Sequence, residues 1–124
     1  MILGLGLDLV SIPRIQKSIE RFGAHFLERI LTPEELKLLP NGREATYAAG
    51  RFAAKEAAVK ALGTGFSQGV SIKDLEILAQ PNGQPQLYFR GEALRRTLEQ
   101  GVRRISVSIS HEQELAVAVV ILED

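Results

Sequence analysis

The chain has 124 residues, 45% of them hydrophobic and 24% charged, with a formal net charge of +0. That length and apolar fraction suit one ordinary domain spanning residues 1–124, and the balanced charge excludes the broad basic field of a nucleic-acid binder. The absence of cysteine excludes disulfides, thiolate metal sites and a cysteine nucleophile, and it fits a reducing, cytoplasmic compartment. A chain this short has little room for a deep private cleft, a shortage that a site shared between subunits would relieve.

The opening MILGLGLDLV lacks a basic leader and carries Asp8, so it reads as a strand and not as a signal peptide. No apolar run approaches the roughly 20 residues that span a bilayer, so no membrane role is expected. Ile2 to Leu9 are apolar apart from glycines and Asp8, which predicts a buried strand. Ser11 offers an N-cap with Pro13 in the first turn. Ile15, Ile19, Phe22, Phe26 and Ile30 then follow at helical spacing, one face of an amphipathic helix that Gly23 bends or interrupts.

Thr32-Pro33-Glu34-Glu35 is a second helix start with a capping box between Thr32 and Glu35, and Pro40-Asn41-Gly42 ends it. Arg43 to Leu62 is alanine-rich and free of proline, and reads as the longest and most central helix. Gly63 stops it and opens a glycine-bearing loop to Gly69. Leu75–Ala79 and Gln86–Phe89 predict a hairpin around Asn82-Gly83, and Glu92–Gln100 a short helix closed by Gly101. Ile105, Val107 and Ile109 alternate with serines, a half-buried strand, while Leu115 to Leu122 is nearly all apolar and predicts a fully buried one. The order implies an α+β fold with helices packed on a mainly antiparallel sheet.

Six features carry chemistry, each with a plain alternative. A carboxylate at the end of an apolar strand, Asp8, is costly unless solvated, paired or bound to a metal; it also suits a turn or a helix cap. Glu56 and Lys60 lie four apart on a helix face that continues an apolar stripe, which suggests partial burial, although an ordinary surface ion pair has the same spacing. Arg51 and Lys55 are like charges one turn apart, explained by an anion between them or by solvation. The Gly63–Gly69 loop can bring backbone N–H groups to a phosphate or simply cap the helix. His111, after the serine-rich strand, suits a phosphate contact or proton relay, or is a solvated turn residue; His25 has no polar company in sequence and reads as a bystander. Arg14, Lys17 and Arg21 form a basic stripe on the first helix, either a solvated face or a dock for an acidic protein.

Two stretches together resemble the holo-acyl-carrier-protein synthases, the small phosphopantetheinyl transferases. One is Gly6-Leu7-Asp8-Leu9-Val10-Ser11-Ile12-Pro13-Arg14, and the other is Arg51-Phe52-Ala53-Ala54-Lys55-Glu56-Ala57-Ala58-Val59-Lys60-Ala61. The Gly63–Gly69 loop, the Asn82-Gly83 turn and Ser110-His111 are also similar to that family, so the resemblance runs nearly end to end. It implies a 4'-phosphopantetheinyl transferase-like fold. It also implies transfer of the 4'-phosphopantetheine arm of coenzyme A to a serine of acyl carrier protein, with Mg²⁺ as cofactor and release of 3',5'-ADP. By resemblance, Asp8 and Glu56 are the metal ligands, and Lys60 stabilises charge on the pyrophosphate. Arg51, Gly63, Thr64, Gly65 and His111 hold coenzyme A phosphates, the Asn82–Pro85 turn lines the adenine, and Arg14, Lys17 and Arg21 dock the acidic carrier. The small members are homotrimers with each site built across a subunit boundary. Two other classes compete: a magnesium-dependent pyrophosphate hydrolase, against which the basic stripe speaks, and a coenzyme A or nucleotide sensor without turnover, against which the presence of Asp8, Glu56 and Lys60 speaks.

Overall fold

Strand β1 (Ile2–Ser11) runs straight into helix α1 (Ile12–Phe22), whose first turn is capped by Ser11: the Arg14 N–H donates to its Oγ at 3.4 Å. The computed structural model describes residues 1–124. Gly23, at φ +59°, interrupts the helix where a bend or break was expected, and α2 (Ala24–Ile30) begins beyond it. Only a glycine takes that backbone conformation without strain, so the apolar spacing from Ile15 to Ile30 is shared between two helices. Helix α3 (Pro33–Lys37) begins with the predicted capping box, Thr32 and Glu35 bonding to each other's backbone.

Helix α4 (Glu44–Leu62) is the centre of the molecule, with Ala48, Ala49, Ala53, Ala54, Ala57 and Ala58 wholly buried. One side of α4 packs on a three-stranded antiparallel sheet of order β1-β5-β4, completed by β4 (Arg104–Glu112) and β5 (Leu115–Glu123). Its other side meets α1, α2 and the hairpin of β2 (Leu75–Ala79) and β3 (Pro85–Phe89), a separate two-stranded sheet. A 3₁₀ turn (Ile72–Asp74) leads into β2, and α5 (Gly91–Glu99) connects β3 to β4. The α+β architecture with helices on an antiparallel sheet is as expected.

The close packing of α4 on β1 has a simple origin. A Cβ on Gly4 would stand 2.1 Å from the Ala61 carbonyl oxygen, and one on Gly6 1.8 Å from that of Ala57. Two strand residues advance about 6.6 Å and four helix residues about 6 Å, so Gly4 and Gly6 match Ala61 and Ala57 in step. The same phase carries Asp8 and Val10 onto the helix side of the sheet.

The opposite phase is where expectation fails. Leu5, Leu7 and Leu9 are 63%, 57% and 62% exposed, and β5 buries Ala116, Ala118, Val120 and Leu122 but leaves Val117, Val119 and Ile121 half-open. Both strands were expected to be buried on both faces. The sheet is covered by α4 on one face only, and the other is an apolar surface bordered by Ser106, Ser108 and Ser110 of β4.

Candidate active site

Asp8 and Glu56 line one cavity of about 440 Å³ with Ser11, Arg14, Ser18, Phe26 and Phe52. Asp8 arrives at the end of the glycine-bearing phase of β1, and Glu56 from the flank of α4. Glu56 also lines an adjoining, more apolar groove of about 790 Å³ with Phe22, His25, Phe26, Arg29, Phe66 and Ile72. His25, read as a bystander, therefore sits on a groove wall.

Lys60 does not pair with Glu56 one turn away. Its Nζ reaches across to β1, donating to Asp8 Oδ1 at 2.9 Å and to the Leu7 carbonyl at 3.0 Å. Glu56 enters no ion pair, and burial first, then the Asp8 charge, raise its proton affinity, with Lys60 opposing. Two carboxylates facing one cavity, one without a cationic partner, fit a hard divalent ion. Mg²⁺ takes one or two carboxylates and completes its shell with water and phosphate oxygen. No group of three metal-ligating His, Cys, Asp or Glu side chains occurs in the chain, so the protein alone could not build a closed cage.

Arg51 and His111 meet in a different cavity, about 190 Å³, lined also by Arg43, Thr46, Tyr47 and Gly50. The Arg51 guanidinium lies over the Tyr47 ring, 4.1 Å from its centroid, and its buried Nε has no hydrogen-bond partner. Arg43 was missed in the sequence, where the signal was present: Arg43, Tyr47 and Arg51 recur every four residues and so share a helix face. Arg43, Arg51 and His111 thus place three groups able to carry positive charge around one hollow.

Lys55 corrects the sequence reading of an anion shared with Arg51. Its side chain is 0% exposed and its ammonium donates to Glu35 Oε1 at 2.6 Å and to the Ile30 carbonyl at 2.7 Å. The charge is satisfied inside the protein. Burial pulls its proton affinity down, while Glu35 opposes that.

The Gly63–Gly69 loop follows α4, with Gly63 at φ +86° as the C-cap. The N–H groups of Gly63, Thr64 and Gly65 all turn back onto the Val59 carbonyl, at 3.0, 3.2 and 3.3 Å. These amides are occupied by the helix end and do not point into the cavities. Gly63 lies twelve residues beyond Arg51, roughly 18 Å along the helix, so within one chain the loop and the Arg51–His111 hollow are apart. The Asn82–Pro85 turn borders neither the Asp8–Glu56 cavity nor its apolar neighbour.

Arg14, Lys17 and Arg21 are exposed along α1 and form no internal ion pair. Arg14 stands at the rim of the Asp8–Glu56 cavity, and Arg21 lies over Phe22, 5.1 Å from its centroid, beside the apolar groove. No helix is long and apolar enough to cross a membrane.

Residues 4–120 match the 4'-phosphopantetheinyl transferase superfamily. A holo-[acyl-carrier-protein] synthase of Maridesulfovibrio salexigens is 50% identical over 123 residues, covering 99% of both chains. The crystal structure of the holo-[acyl-carrier-protein] synthase from Neisseria meningitidis superposes with a TM-score of 0.89 at 44% identity, over the whole of both chains. The Helicobacter pylori synthase, solved in complex with coenzyme A, superposes with a TM-score of 0.85 at 37% identity, over 96% of this chain and 99% of that one. With this similarity over its full length, the chain belongs to the 4'-phosphopantetheinyl transferase superfamily, among the holo-[acyl-carrier-protein] synthases.

Proposed function

We propose that this chain, acting as a single domain in the cytoplasm, transfers the 4'-phosphopantetheine arm of coenzyme A to a serine of acyl carrier protein, in support of fatty acid synthesis. The observation that carries this reading is the shared cavity of Asp8 and Glu56, with Lys60 on Asp8 and Arg14 at the rim. The serine hydroxyl oxygen forms a bond to the β-phosphorus. The bridging bond to the α-phosphate breaks, and its electron pair leaves with 3',5'-ADP.

Asp8 and Glu56 would hold Mg²⁺. Bound there, the ion would neutralise the pyrophosphate and stabilise the charge that develops on transfer. The serine proton would pass to Glu56 or to a water beside it, the acceptors that the same cavity supplies. Lys60, half-exposed, would be able to exchange its contact with Asp8 for one with the leaving phosphate.

The arm and nucleotide need more surface than one chain offers here. Arg43, Arg51 and His111 suit the nucleotide's phosphates, and the Gly63–Gly65 surface and the Asn82–Pro85 turn the remainder. The open sheet face supports assembly as a homotrimer: Leu5, Leu7, Leu9, Val117, Val119 and Ile121 form an apolar surface that burial against other copies would remove from water. That assembly would bring the Arg51–His111 hollow of one subunit to the Asp8–Glu56 cavity of another.

The carrier is acidic, so its helix suits the stripe of Arg14, Lys17 and Arg21, and the neighbouring groove with Phe22, Phe26 and Ile72 suits an apolar side chain from it. The test is intact-mass spectrometry of apo acyl carrier protein incubated with the enzyme, coenzyme A and Mg²⁺. A gain of one phosphopantetheine, lost with EDTA and in an Asp8→Ala, Glu56→Ala double variant, supports the reading. Coenzyme A cleaved without modified carrier would replace it with hydrolysis.

A further inference from the structure

The buried ion pair of Lys55 and Glu35 is not used by the transfer chemistry, yet it touches both halves of the site. We propose that Lys55 and Glu35 are positioning residues that hold the carrier-side groove and the coenzyme-side anion hollow in register. The inference rests on the assignment of those two cavities given above.

Both side chains are 0% exposed. Ion pairs this deep gain little net stability, because desolvation offsets their attraction; what they secure is geometry. Glu35 Oε1 accepts from Lys55 Nζ at 2.6 Å and from the Thr32 N–H at 2.8 Å, and Oε2 accepts from the Ile77 N–H at 2.8 Å. One carboxylate thus joins α3, α4 and β2.

The carrier side hangs on Lys55. Its second hydrogen bond goes to the carbonyl of Ile30, the last residue of α2, where helix carbonyls lack an intrahelical partner. Helix α2 supplies Phe26, Arg29 and Ile30 to the groove that Glu56 also lines. Lys55 is the residue before Glu56, so it fixes the end of that wall against the helix that bears the carboxylate.

The coenzyme side hangs on Glu35. The Tyr47 hydroxyl donates to the Glu35 backbone carbonyl at 2.7 Å. The Tyr47 ring in turn carries the Arg51 guanidinium, whose Nε has no partner of its own. The direction of Arg51 is therefore set by a ring anchored at Glu35.

Steady-state kinetics on the full chain separate this from a structural role, because loss of folded enzyme lowers kcat and leaves KM unchanged. Tyr47→Phe is expected to raise the coenzyme A KM about fivefold while the carrier-protein KM holds. Lys55→Met, which keeps the stem and removes the ammonium, is expected to raise the carrier-protein KM about tenfold. Glu35→Gln is expected to raise both. Arg51→Ala and Arg14→Ala report the cavities themselves. If they raise the coenzyme and carrier KM respectively while Tyr47→Phe and Lys55→Met leave both within about twofold, the positioning role is overturned and the site reading stands. If the two arginine variants leave their KM values unmoved, the site reading falls and this inference falls with it. Should Lys55→Met not fold, Glu35→Gln decides for the ion pair: a carrier-protein KM within about twofold of the parent overturns the positioning role.

Discussion

Helix α4 carries two lysine–carboxylate pairs five residues apart, and they have opposite characters. Lys55 and Glu35 are both 0% exposed, at 2.6 Å. Lys60 and Asp8 stand at 2.9 Å with side chains 53% and 16% exposed. The chemical groups are the same; solvation differs. Around Glu35 the carboxylate oxygens are filled by Lys55, Thr32 and Ile77, so the pair cannot take a ligand without being dismantled. Lys60 keeps its ammonium half in water and can change partners at little cost. A buried pair is fixed in one geometry, and an open one can change partners.

The largest expected effect tests that contrast directly. Lys55→Ala leaves the Glu35 carboxylate buried and unpaired, and urea unfolding should show a loss of about 3–5 kcal/mol. Lys60→Ala should cost under about 1 kcal/mol in the same assay. Equal losses would erase the distinction. In activity the order reverses: Lys60→Ala should lower kcat/KM by about 10²–10³ with an unchanged circular dichroism spectrum, the size found for a lost transition-state charge contact. A drop below tenfold, on the order of 1.4 kcal/mol, would remove Lys60 from the transfer step.

The third effect sharpens the open half of the comparison. Burial and the charge on Asp8 raise the Glu56 pKa, and Lys60 opposes them. A carboxyl with a raised pKa keeps its proton to higher pH, and only the ionised form can bind metal or accept the serine proton. Because a cation must displace that proton to bind, transfer at limiting Mg²⁺ should fall on acidification. Residual activity of Lys60→Ala should show that acid limb moved further up. The sign for stability is the reverse of the usual carboxylate: ionising Glu56 destabilises the fold as pH rises through its pKa, so Glu56→Gln should unfold no more easily than the parent at neutral pH. An acid limb that stays put in Lys60→Ala would show that Lys60 does not act on Glu56.

The smallest effect is on salt. Raising ionic strength to about 0.5 M should increase the carrier-protein KM roughly tenfold through Arg14, Lys17 and Arg21, because exposed charges are screened. Stability carried by the Lys55–Glu35 pair should not respond. An unchanged carrier KM would make the α1 stripe a solvated face.

Much of the fold was legible because its signals are local. The Thr32–Glu35 capping box, the alanine-rich run ending at Gly63 and the hairpin around Asn82-Gly83 each depend on residues within a few positions. The expected double-sided burial of β1 and β5 failed because an apolar run shows that a strand avoids water, not which molecule covers it. Leu5, Leu7 and Leu9 satisfy the pattern as well on the open face of a sheet as in a private core. The interruption at Gly23 was legible as a glycine within the apolar spacing from Ile15 to Ile30; the choice between a bend and a full break was not, because apolar spacing survives a break when both pieces pack on the same neighbour.

The site divides the same way. Asp8 and Glu56 stand out in the sequence as acidic residues in apolar settings, and the resemblance of the stretches around them implies the chemistry; the glycine phase that lets Asp8 approach α4 emerged only with the structure. Which partner each charge meets does not follow from spacing. Lys60 lies one turn from Glu56 and yet bonds Asp8, 52 residues away, while Lys55 bonds Glu35, 20 residues away. Helical spacing places two groups within reach, but desolvation and the docking of strand on helix choose between the contacts available. Local steric rules act along the chain and can be read from it; burial is a property of the whole folded molecule, and only the tertiary structure decides which of two similar lysines is sealed in and which is left free.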